Sequence, residues 1–146
     1  MLIAVTRGVS PAIADCELTH LERTPIDVRT AREQHANYEA VLAELGCRIE
    51  RLSAEPDLPD SVFVEDVAVV LNEVAVITRP GAESRRGERS SIERTLQPYR
   101  PLAHISAPGT LDGGDVLVAG REVWIGISTR SSDEAVDQFR AAVADQ

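Results

Sequence analysis

The chain has 146 residues, of which 43% are hydrophobic, 27% are charged and 3% are aromatic, and its formal net charge is −9. These values predict a globular chain with room for one domain and a core of aliphatic side chains, and they exclude the disordered and fibrous classes. The acidic charge argues against sequence-independent nucleic-acid binding, which needs a basic surface.

The first part of the chain predicts a strand, a helix and a second strand. Residues 2–7 are rich in β-branched side chains and end at a glycine, which is typical of a strand. A long irregular connection, residues 8–25, follows it. Within residues 27–46 apolar residues recur at threes and fours, apart from one position that His35 fills, so we predict an amphipathic helix that ends at a glycine. The predicted apolar face consists of Val28, Ala31, Tyr38, Leu42 and Leu45. Residues 47–52 alternate with period two and predict another strand.

The rest of the chain predicts two strand pairs, each followed by a helix. The first pair covers residues 62–70 and 74–78, and its helix runs from Glu83 to about Gln97, where a proline stops it. The segment LAHI is a further strand. The second pair lies within residues 110–130 around a tight AGR turn, and serine and acidic residues then begin a final helix.

The two strand pairs are copies of one pattern. A shift of 49 residues places DVAVVLNEVAV on DVLVAGREVWI, with Asp66 on Asp115 and Glu73 on Glu122. The repeat unit is strand, strand, helix, strand, and a unit that cannot close its own core must stack with copies of itself. The first strand and helix resemble a partial third copy. Two and a half units are few for a stacked fold, so we expect the natural object to be larger than this chain.

Two acids, Asp66 and Asp115, occupy matching places at the mouths of strands. Acids in matching places should converge, and converging carboxylates need a cation, a metal or a shared proton to offset their repulsion. The ligand spacing of a calcium loop is absent, and the histidines occur singly, at His20, His35 and His104. A planar guanidinium is the cation that fits carboxylates best. An arginine-like ligand would also need cations for its own carboxylate, and those available are Arg79, Arg85, Arg86 and Arg130.

Other signals are weak or absent. The DGGD segment fits either a turn or a place where backbone comes close to a ligand. No apolar run is long enough for a membrane span, and the N-terminus lacks the pattern of a signal peptide, so we predict a cytoplasmic protein without a membrane partner. Cys16 and Cys47 do not form a metal-type pair and fit reduced thiols.

Several motifs occur in an order that resembles one enzyme family. LPDSVFVEDVAVV, ITRPGAESRR, TLDGGDVLVAGREVWIGISTR and AREQHANYEAVLAELG are similar to segments of the dimethylarginine dimethylaminohydrolase (dimethylargininase) family, of the amidinotransferase superfamily. The resemblance implies an α/β pentein, a five-bladed propeller of ββαβ units, with residues 1–146 as a single partial domain, its N-terminal portion. It also implies hydrolysis of Nω-methylated arginine to citrulline and a methylamine through a cysteine adduct, without cofactor or metal.

The resemblance implies a role for four residues at two ends of the ligand. Asp66 is expected to bind the guanidinium, with Glu65 shaping the same end of the pocket. Asp60 and the backbone carbonyl of Leu18 are expected to hold the α-amino group.

Three further residues take roles from the same resemblance. Arg85 and Arg130 are expected to hold the α-carboxylate of the ligand, and Asp112 is expected to orient the catalytic histidine. In the family that histidine and the cysteine nucleophile follow the STR segment, and this chain ends before either. We therefore expect no turnover by this chain alone, and self-association through the open edge of an incomplete propeller.

The sequence also allows three other functions. The chain is alternatively a non-catalytic module that binds arginine or methylarginine, or a relative of arginine deiminase in the same superfamily. A generic interaction domain with solvated charges is the third possibility, and the 49-residue repeat argues against it.

Overall fold

The structure is a computed structural model and describes residues 1–18 and 21–144. The backbone forms two compact units, Met1–Val64 and Glu65–Gln146. The single partial domain expected over residues 1–146 stays a prediction. His20 lies outside the described residues.

The first unit is a parallel strand pair joined by a long helix. Strand β1 (Ile3–Arg7) pairs with β2 (Arg48–Leu52), with Ile3 opposite Arg48 at one end. Helix α1 (Val28–Glu44) is the crossover that a parallel pair requires. A short 3-10 turn, Ile13–Asp15, interrupts the connection before the helix. The predicted order of strand, helix and strand is confirmed.

Both ends of α1 are capped, and the C-terminal cap is the glycine that the sequence predicts. The Asp27 side chain accepts hydrogen bonds from the backbone N–H groups of Arg29 and Thr30 at the N-terminus. At the other end Gly46 adopts a φ of +90°, and the backbone N–H of Cys47 donates to the carbonyl oxygen of Leu42 at 3.0 Å. This Schellman arrangement explains why the helix stops at a glycine.

The buried side of α1 differs from the predicted apolar face. Its one fully buried residue is Glu39, at 3% exposure, whereas the predicted face residues Tyr38 and Leu45 are 56% and 75% exposed. Glu39 is stabilised there because it accepts hydrogen bonds from the Thr6 hydroxyl at 2.6 Å and from Arg51 Nε at 2.9 Å. A polar contact between α1 and the strand pair therefore replaces part of the expected apolar packing.

The second unit contains two antiparallel hairpins. In the first, β3 pairs antiparallel with β4, and β4 pairs in parallel with β5, which gives the sheet order β3-β4-β5. In the second, β6 pairs antiparallel with β7. The elements in chain order are β3 (Ala68–Val70), β4 (Ala75–Ile77), α2 (Arg89–Leu96), β5 (Leu102–His104), β6 (Val116–Ala119), β7 (Glu122–Ile125) and α3 (Asp133–Val143).

The predicted repeat is visible in the backbone. A 3-10 turn precedes each hairpin, at Val64–Asp66 and at Gly113–Asp115, and these turns lie 49 positions apart. The first hairpin leaves four residues between its last paired residues, Val70 and Ala75, and the second leaves two, Gly120 and Arg121. Because the difference is even, each side chain keeps its face of the sheet. Gly120 closes the shorter turn with a φ of +64°.

Two predicted elements are shorter than expected. The strand predicted over 62–70 is extended only at Ala68–Val70, because Val64–Asp66 forms a 3-10 turn. The helix predicted from residue 83 begins as a 3-10 segment, Glu83–Glu88, and becomes α-helical only at residue 89. Gly87 weakens α-helix formation there, and a 3-10 segment places residues three apart on the same side.

The core of the second unit is aliphatic with one aromatic ring, as the composition predicts. It joins the first hairpin to α3, and its members are Val69, Val74, Val76, Ile105, Leu111, Ala135 and Phe139. Over residues 1–18 and 21–144, none of the helices has the length and apolar character that a membrane crossing requires.

Candidate functional site

The acidic pair Glu65 and Asp66 stands on the 3-10 turn directly before β3. Glu65 is exposed and Asp66 is half-buried. The turn is held to β4, because the Thr78 hydroxyl donates a hydrogen bond to the Asp66 carbonyl oxygen at 2.7 Å. The two carboxylates therefore stand at the end of the sheet, on a short and anchored segment.

A buried arginine of the same chain neutralises Asp66. Arg85 Nη1 lies 2.5 Å from Asp66 Oδ2, while its Nε and Nη2 lie 3.0 and 2.9 Å from the two carboxylate oxygens of Glu88. The side chains of Arg85 and Glu88 are 2% and 1% exposed. The 3-10 segment makes the bidentate pair possible, because residues three apart lie on one side of it. The guanidinium that contacts Asp66 in this structure is that of Arg85. The predicted roles of Asp66 toward a ligand's guanidinium, and of Arg85 and Arg130 toward its α-carboxylate, stay predictions.

The DGGD segment lies against the acidic turn. The backbone N–H of Gly114 donates to Asp66 Oδ1 at 2.9 Å. A β-carbon on Gly113 would lie 1.9 Å from the Glu65 carbonyl oxygen, so only glycine fits at that position. The two glycines are therefore a place of close backbone approach, and what they approach is the Glu65-Asp66 turn.

Asp112 and Arg130 are brought together in the second unit. Arg130 Nη1 lies 3.2 Å from Asp112 Oδ2, and the Gly81 backbone N–H donates to Asp112 Oδ1 at 2.9 Å. Asp112 is 3% exposed. Its carboxylate thus joins three segments of the chain, and the proposed orientation of a histidine by Asp112 stays a prediction.

Asp115 makes different contacts from its repeat partner Asp66. Its Oδ2 accepts hydrogen bonds from the hydroxyls of Ser128 at 2.8 Å and Ser131 at 2.5 Å. Asp66 accepts a hydrogen bond from the Gly114 backbone N–H, and Asp115 follows Gly114 in the sequence, but the two carboxylates have separate side-chain partners. Convergence on one shared cation is therefore not what the structure shows.

The two remaining predicted site residues belong to the first unit. Both Asp60 carboxylate oxygens accept from the Glu17 backbone N–H, at 3.2 and 3.0 Å, and Asp60 is 6% exposed. Leu18, the next residue along the chain, is 38% exposed. Asp60 therefore fixes the backbone beside Leu18, and the roles of both residues toward a ligand stay predictions.

The charges of the second unit act on two pKa values. Glu65 as a whole residue is exposed, but partial burial of its carboxyl group raises the pKa of that group, and the charge of Asp66 raises it further. The hydrogen bond from the Glu65 backbone N–H and the charge of Arg85 act in the opposite direction. Burial alone would lower the pKa of Arg85, but the hydrogen bonds and charges of Glu88 and Asp66 outweigh it and raise that pKa. Glu65 is thus an acid whose ionisation a bound cation would favour.

Sequence reasoning missed the contact of Glu88 with Arg85 and the hydrogen bond from the Gly81 backbone N–H to Asp112. The spacing of Arg85 and Glu88, three residues apart, was the available signal for the first of these.

The other candidate cations contact groups of this chain: Arg79 donates to the Gly109 carbonyl oxygen, and Arg86 pairs with Glu83. Within the described ranges no group of three His, Cys, Asp or Glu residues is placed to hold a metal, and both cysteines are free thiols.

The sequence is similar to that of curated enzymes. A family model described as "N,N dimethylarginine dimethylhydrolase, eukaryotic" matches residues 19–145. The N(G),N(G)-dimethylarginine dimethylaminohydrolase of Streptomyces coelicolor is 42% identical over 140 residues, which are 95% of this chain and 54% of that enzyme. The enzyme of the same name from Pseudomonas aeruginosa is 43% identical over 79% of this chain and 46% of its own length.

The backbone is similar to solved structures of such enzymes. A cysteine-to-serine variant of the Pseudomonas aeruginosa enzyme, complexed with citrulline, superposes with a TM-score of 0.93 at 36% identity, over 99% of this chain and 58% of that one. The N-terminal domain of ArgZ, an arginine dihydrolase from cyanobacteria, superposes with a TM-score of 0.84 at 18% identity, over 96% of this chain and 54% of that one. The chain spans about half the length of the curated relatives it matches.

Proposed function

Because the chain belongs to the dimethylarginine dimethylaminohydrolase family, we propose that it carries the substrate-binding part of a hydrolase that converts Nω-methylated arginine to citrulline and a methylamine. The chain has the α/β pentein fold of the structures it resembles. The observation that carries the proposal is the anchored turn at Glu65 and Asp66, which presents two carboxylates at the end of a sheet.

The proposal assigns the ligand's guanidinium to the Glu65-Asp66 turn. Arg85 already occupies Asp66 Oδ2 and the Gly114 amide occupies Oδ1, so Asp66 is fixed in orientation before any ligand arrives. Glu65 is exposed beside it and is the carboxylate that a second guanidinium can reach. A cation bound there stabilises the ionised carboxylate of Glu65 and so offsets the rise in its pKa that burial causes.

Methylarginine binding tests this assignment. We expect the 146-residue chain to bind asymmetric dimethylarginine, and Glu65→Gln to weaken binding about tenfold, because a charge-assisted hydrogen bond is lost. Affinity should fall as the pH drops through the raised pKa of Glu65, since protonation removes the negative charge. Isothermal titration at several pH values measures both effects.

A matched control is available in the first hairpin. Glu73→Gln changes an exposed acid in the β3-β4 turn and should leave binding unchanged. Equal affinities for wild-type protein and Glu65→Gln would overturn the assignment of the guanidinium to this turn.

We also propose that the chain does not itself carry the nucleophile. Cys16 is 7% exposed, and across the residues that the structure describes, no hydrogen bond joins either cysteine to a histidine. A thiol without a neighbouring base is a poor nucleophile. Incubation with asymmetric dimethylarginine should give no citrulline, and turnover that Cys16→Ser or Cys47→Ser abolishes would contradict this.

The alternative of a non-catalytic module for arginine-like ligands rests on the same turn. The hydrolase proposal requires catalytic residues from a longer natural protein, whereas the module proposal does not. Binding by this chain, with turnover only when the remaining half of a full-length relative is supplied, supports the hydrolase. Binding without turnover under both conditions supports the module. The deiminase-like alternative predicts tighter binding of arginine than of its methylated form.

Self-association is proposed for the second hairpin. In the described part of the chain β7 has β6 on one side and no strand on the other, whereas β4, at the matching repeat position, has β5 there. Apolar side chains are exposed on and beside this hairpin, at Leu117 (63%), Trp124 (62%) and Ile127 (56%). An unpaired edge with exposed apolar groups favours pairing with a second copy.

Sedimentation velocity measures this association. We expect dimers or larger species that grow with concentration, and Trp124→Lys should shift the distribution toward monomer, because it places a charge at the edge. Tyr38→Lys, at an exposed residue of α1, is the control and should leave the distribution unchanged. A wild-type protein that stays monomeric at every concentration would contradict the proposal.

A further inference from the structure

The first unit contains a cavity that the proposed function does not use. It has a volume of about 290 Å³ and lies where the parallel strands end, with Gly8 and Ala54 following β1 and β2. Helix α1 forms another wall with Arg32 and His35, and β2 contributes Arg51. The carboxyl ends of parallel strands are a usual place for ligands in α/β proteins.

The charge of this cavity is opposite to that of the chain. The sequence has 24 acidic residues and a net charge of −9. Among the described residues that line the cavity, however, the titratable ones are Arg32, His35 and Arg51, and none carries a carboxylate. All 15 basic residues of the sequence are arginines. Arginine suits oxyanions because its planar fork donates several hydrogen bonds in fixed directions.

Arg51 is held in place by a buried acid behind it. Its Nε donates to Glu39 Oε1 at 2.9 Å, and its Nη2 forms an ion pair with Glu39 Oε2. Glu39 is itself fixed by the Thr6 hydroxyl. Among the described residues no hydrogen bond is recorded for Arg51 Nη1, so the arginine is oriented through two nitrogens while the third remains for a ligand.

The two cavity groups of α1 complete the set of donors. Arg32 is exposed and, in the described ranges, has no recorded ion pair or hydrogen bond. His35 Nδ1 lies 3.6 Å from Glu39 Oε1, which is too long for a hydrogen bond. Burial and the nearby charge of Arg51 lower the pKa of His35, so its ring is neutral near pH 7.

From this arrangement we propose that the cavity binds a small oxyanion of the phosphate or sulfate type, held by Arg51 Nη1, Arg32 and the ring of His35. Three donors on two elements suit the several oxygens of a tetrahedral anion, and the charges of two arginines favour a dianion over a singly charged carboxylate. The volume lies at the lower limit of ligand pockets, about 300 Å³, so a small ligand fits best. Glu39 offsets one of the two arginine charges and leaves a net positive site.

Sulfate is the probe that tests the site, because it stays a dianion over the whole pH range of the experiment. In an NMR titration of the 146-residue chain we expect saturable shifts of the Arg51 side-chain and His35 ring signals. Binding should strengthen as the pH falls below the ordinary histidine pKa of 6.5, since a bound anion stabilises the protonated ring against the burial and the Arg51 charge that disfavour it. His35→Gln should remove that pH dependence while binding persists.

Variants separate the site from general surface attraction. Arg51→Gln should weaken sulfate binding about tenfold, because a charge-assisted hydrogen bond is lost. Arg48→Gln, on the same strand but outside the cavity, should leave it unchanged. Parallel titrations with phosphate and acetate distinguish a tetrahedral oxyanion from a carboxylate, and equal binding of acetate would overturn the tetrahedral preference. Shifts that do not saturate, or that Arg51→Gln and Arg48→Gln reduce equally, would overturn the site.

Discussion

Replacing Glu88 with alanine is expected to lower the free energy of unfolding by about 3 kcal/mol, since it leaves a buried cation short of a partner. The guanidinium of Arg85 is 2% exposed and would keep only Asp66 of the two carboxylates that now bind it. Urea denaturation followed by circular dichroism measures the change. The same variant should weaken methylarginine binding, because Arg85 would no longer hold Asp66 in one orientation.

The same 3-10 segment offers a matched control. Glu83 and Arg86 also stand three residues apart and form an ion pair at 2.8 Å, but the Glu83 side chain is 85% exposed. Exposed pairs contribute little, so Glu83→Ala should cost less than about 0.5 kcal/mol. Similar losses for Glu83→Ala and Glu88→Ala would show that burial of the Arg85 pair does not matter to stability.

Gly113→Ala is expected to cost about 2 kcal/mol or more and to abolish binding of the guanidinium ligand. The new β-carbon would lie 1.9 Å from the Glu65 carbonyl oxygen and 3.0 Å from its carbonyl carbon. Both are backbone atoms, so the clash is relieved only by moving the turn that carries Glu65 and Asp66. Thermal unfolding and isothermal titration with asymmetric dimethylarginine measure the two effects.

Gly126→Ala is the control for this substitution. Its β-carbon would meet the Asp115 carbonyl oxygen at 3.7 Å, an ordinary contact, and its φ is not positive. Stability and binding should therefore change little, by less than about 0.5 kcal/mol. If Gly113→Ala behaves like Gly126→Ala, the close approach of the two segments is not essential to the site.

Local signals predicted most of the fold. The glycine stop at Gly46, the period of α1 and the turn at Gly120 are set by neighbours along the chain, and these elements formed where expected. The repeat was also readable, because a shift of 49 residues aligns the turns before both hairpins. The prediction of an α/β pentein fold rested on the family resemblance, and the similar solved structures confirm it.

The partners of the charges were not readable in the same way. The motif indicates that Asp66 needs a guanidinium, but the sequence does not say that Arg85, 19 residues away, supplies one. The burial of Glu39 was unexpected for a similar reason: Thr6 and Arg51 stabilise it, and they come from two strands that become neighbours only on folding. The apolar period predicted that α1 is a helix, but it predicted neither the burial of Glu39 nor the partners that stabilise it there.

The hydrogen bond from Gly114 to Asp66 joins the first repeat of the second unit to the start of the next. Asp66 is also tied to β4 through Thr78 and to the following 3-10 segment through Arg85. Separating the second hairpin from the first would therefore remove the Gly114 hydrogen bond from the Asp66 carboxylate, which also holds Arg85. The two repeats are accordingly expected to open together, as one cooperative foldon, although each has its own hairpin.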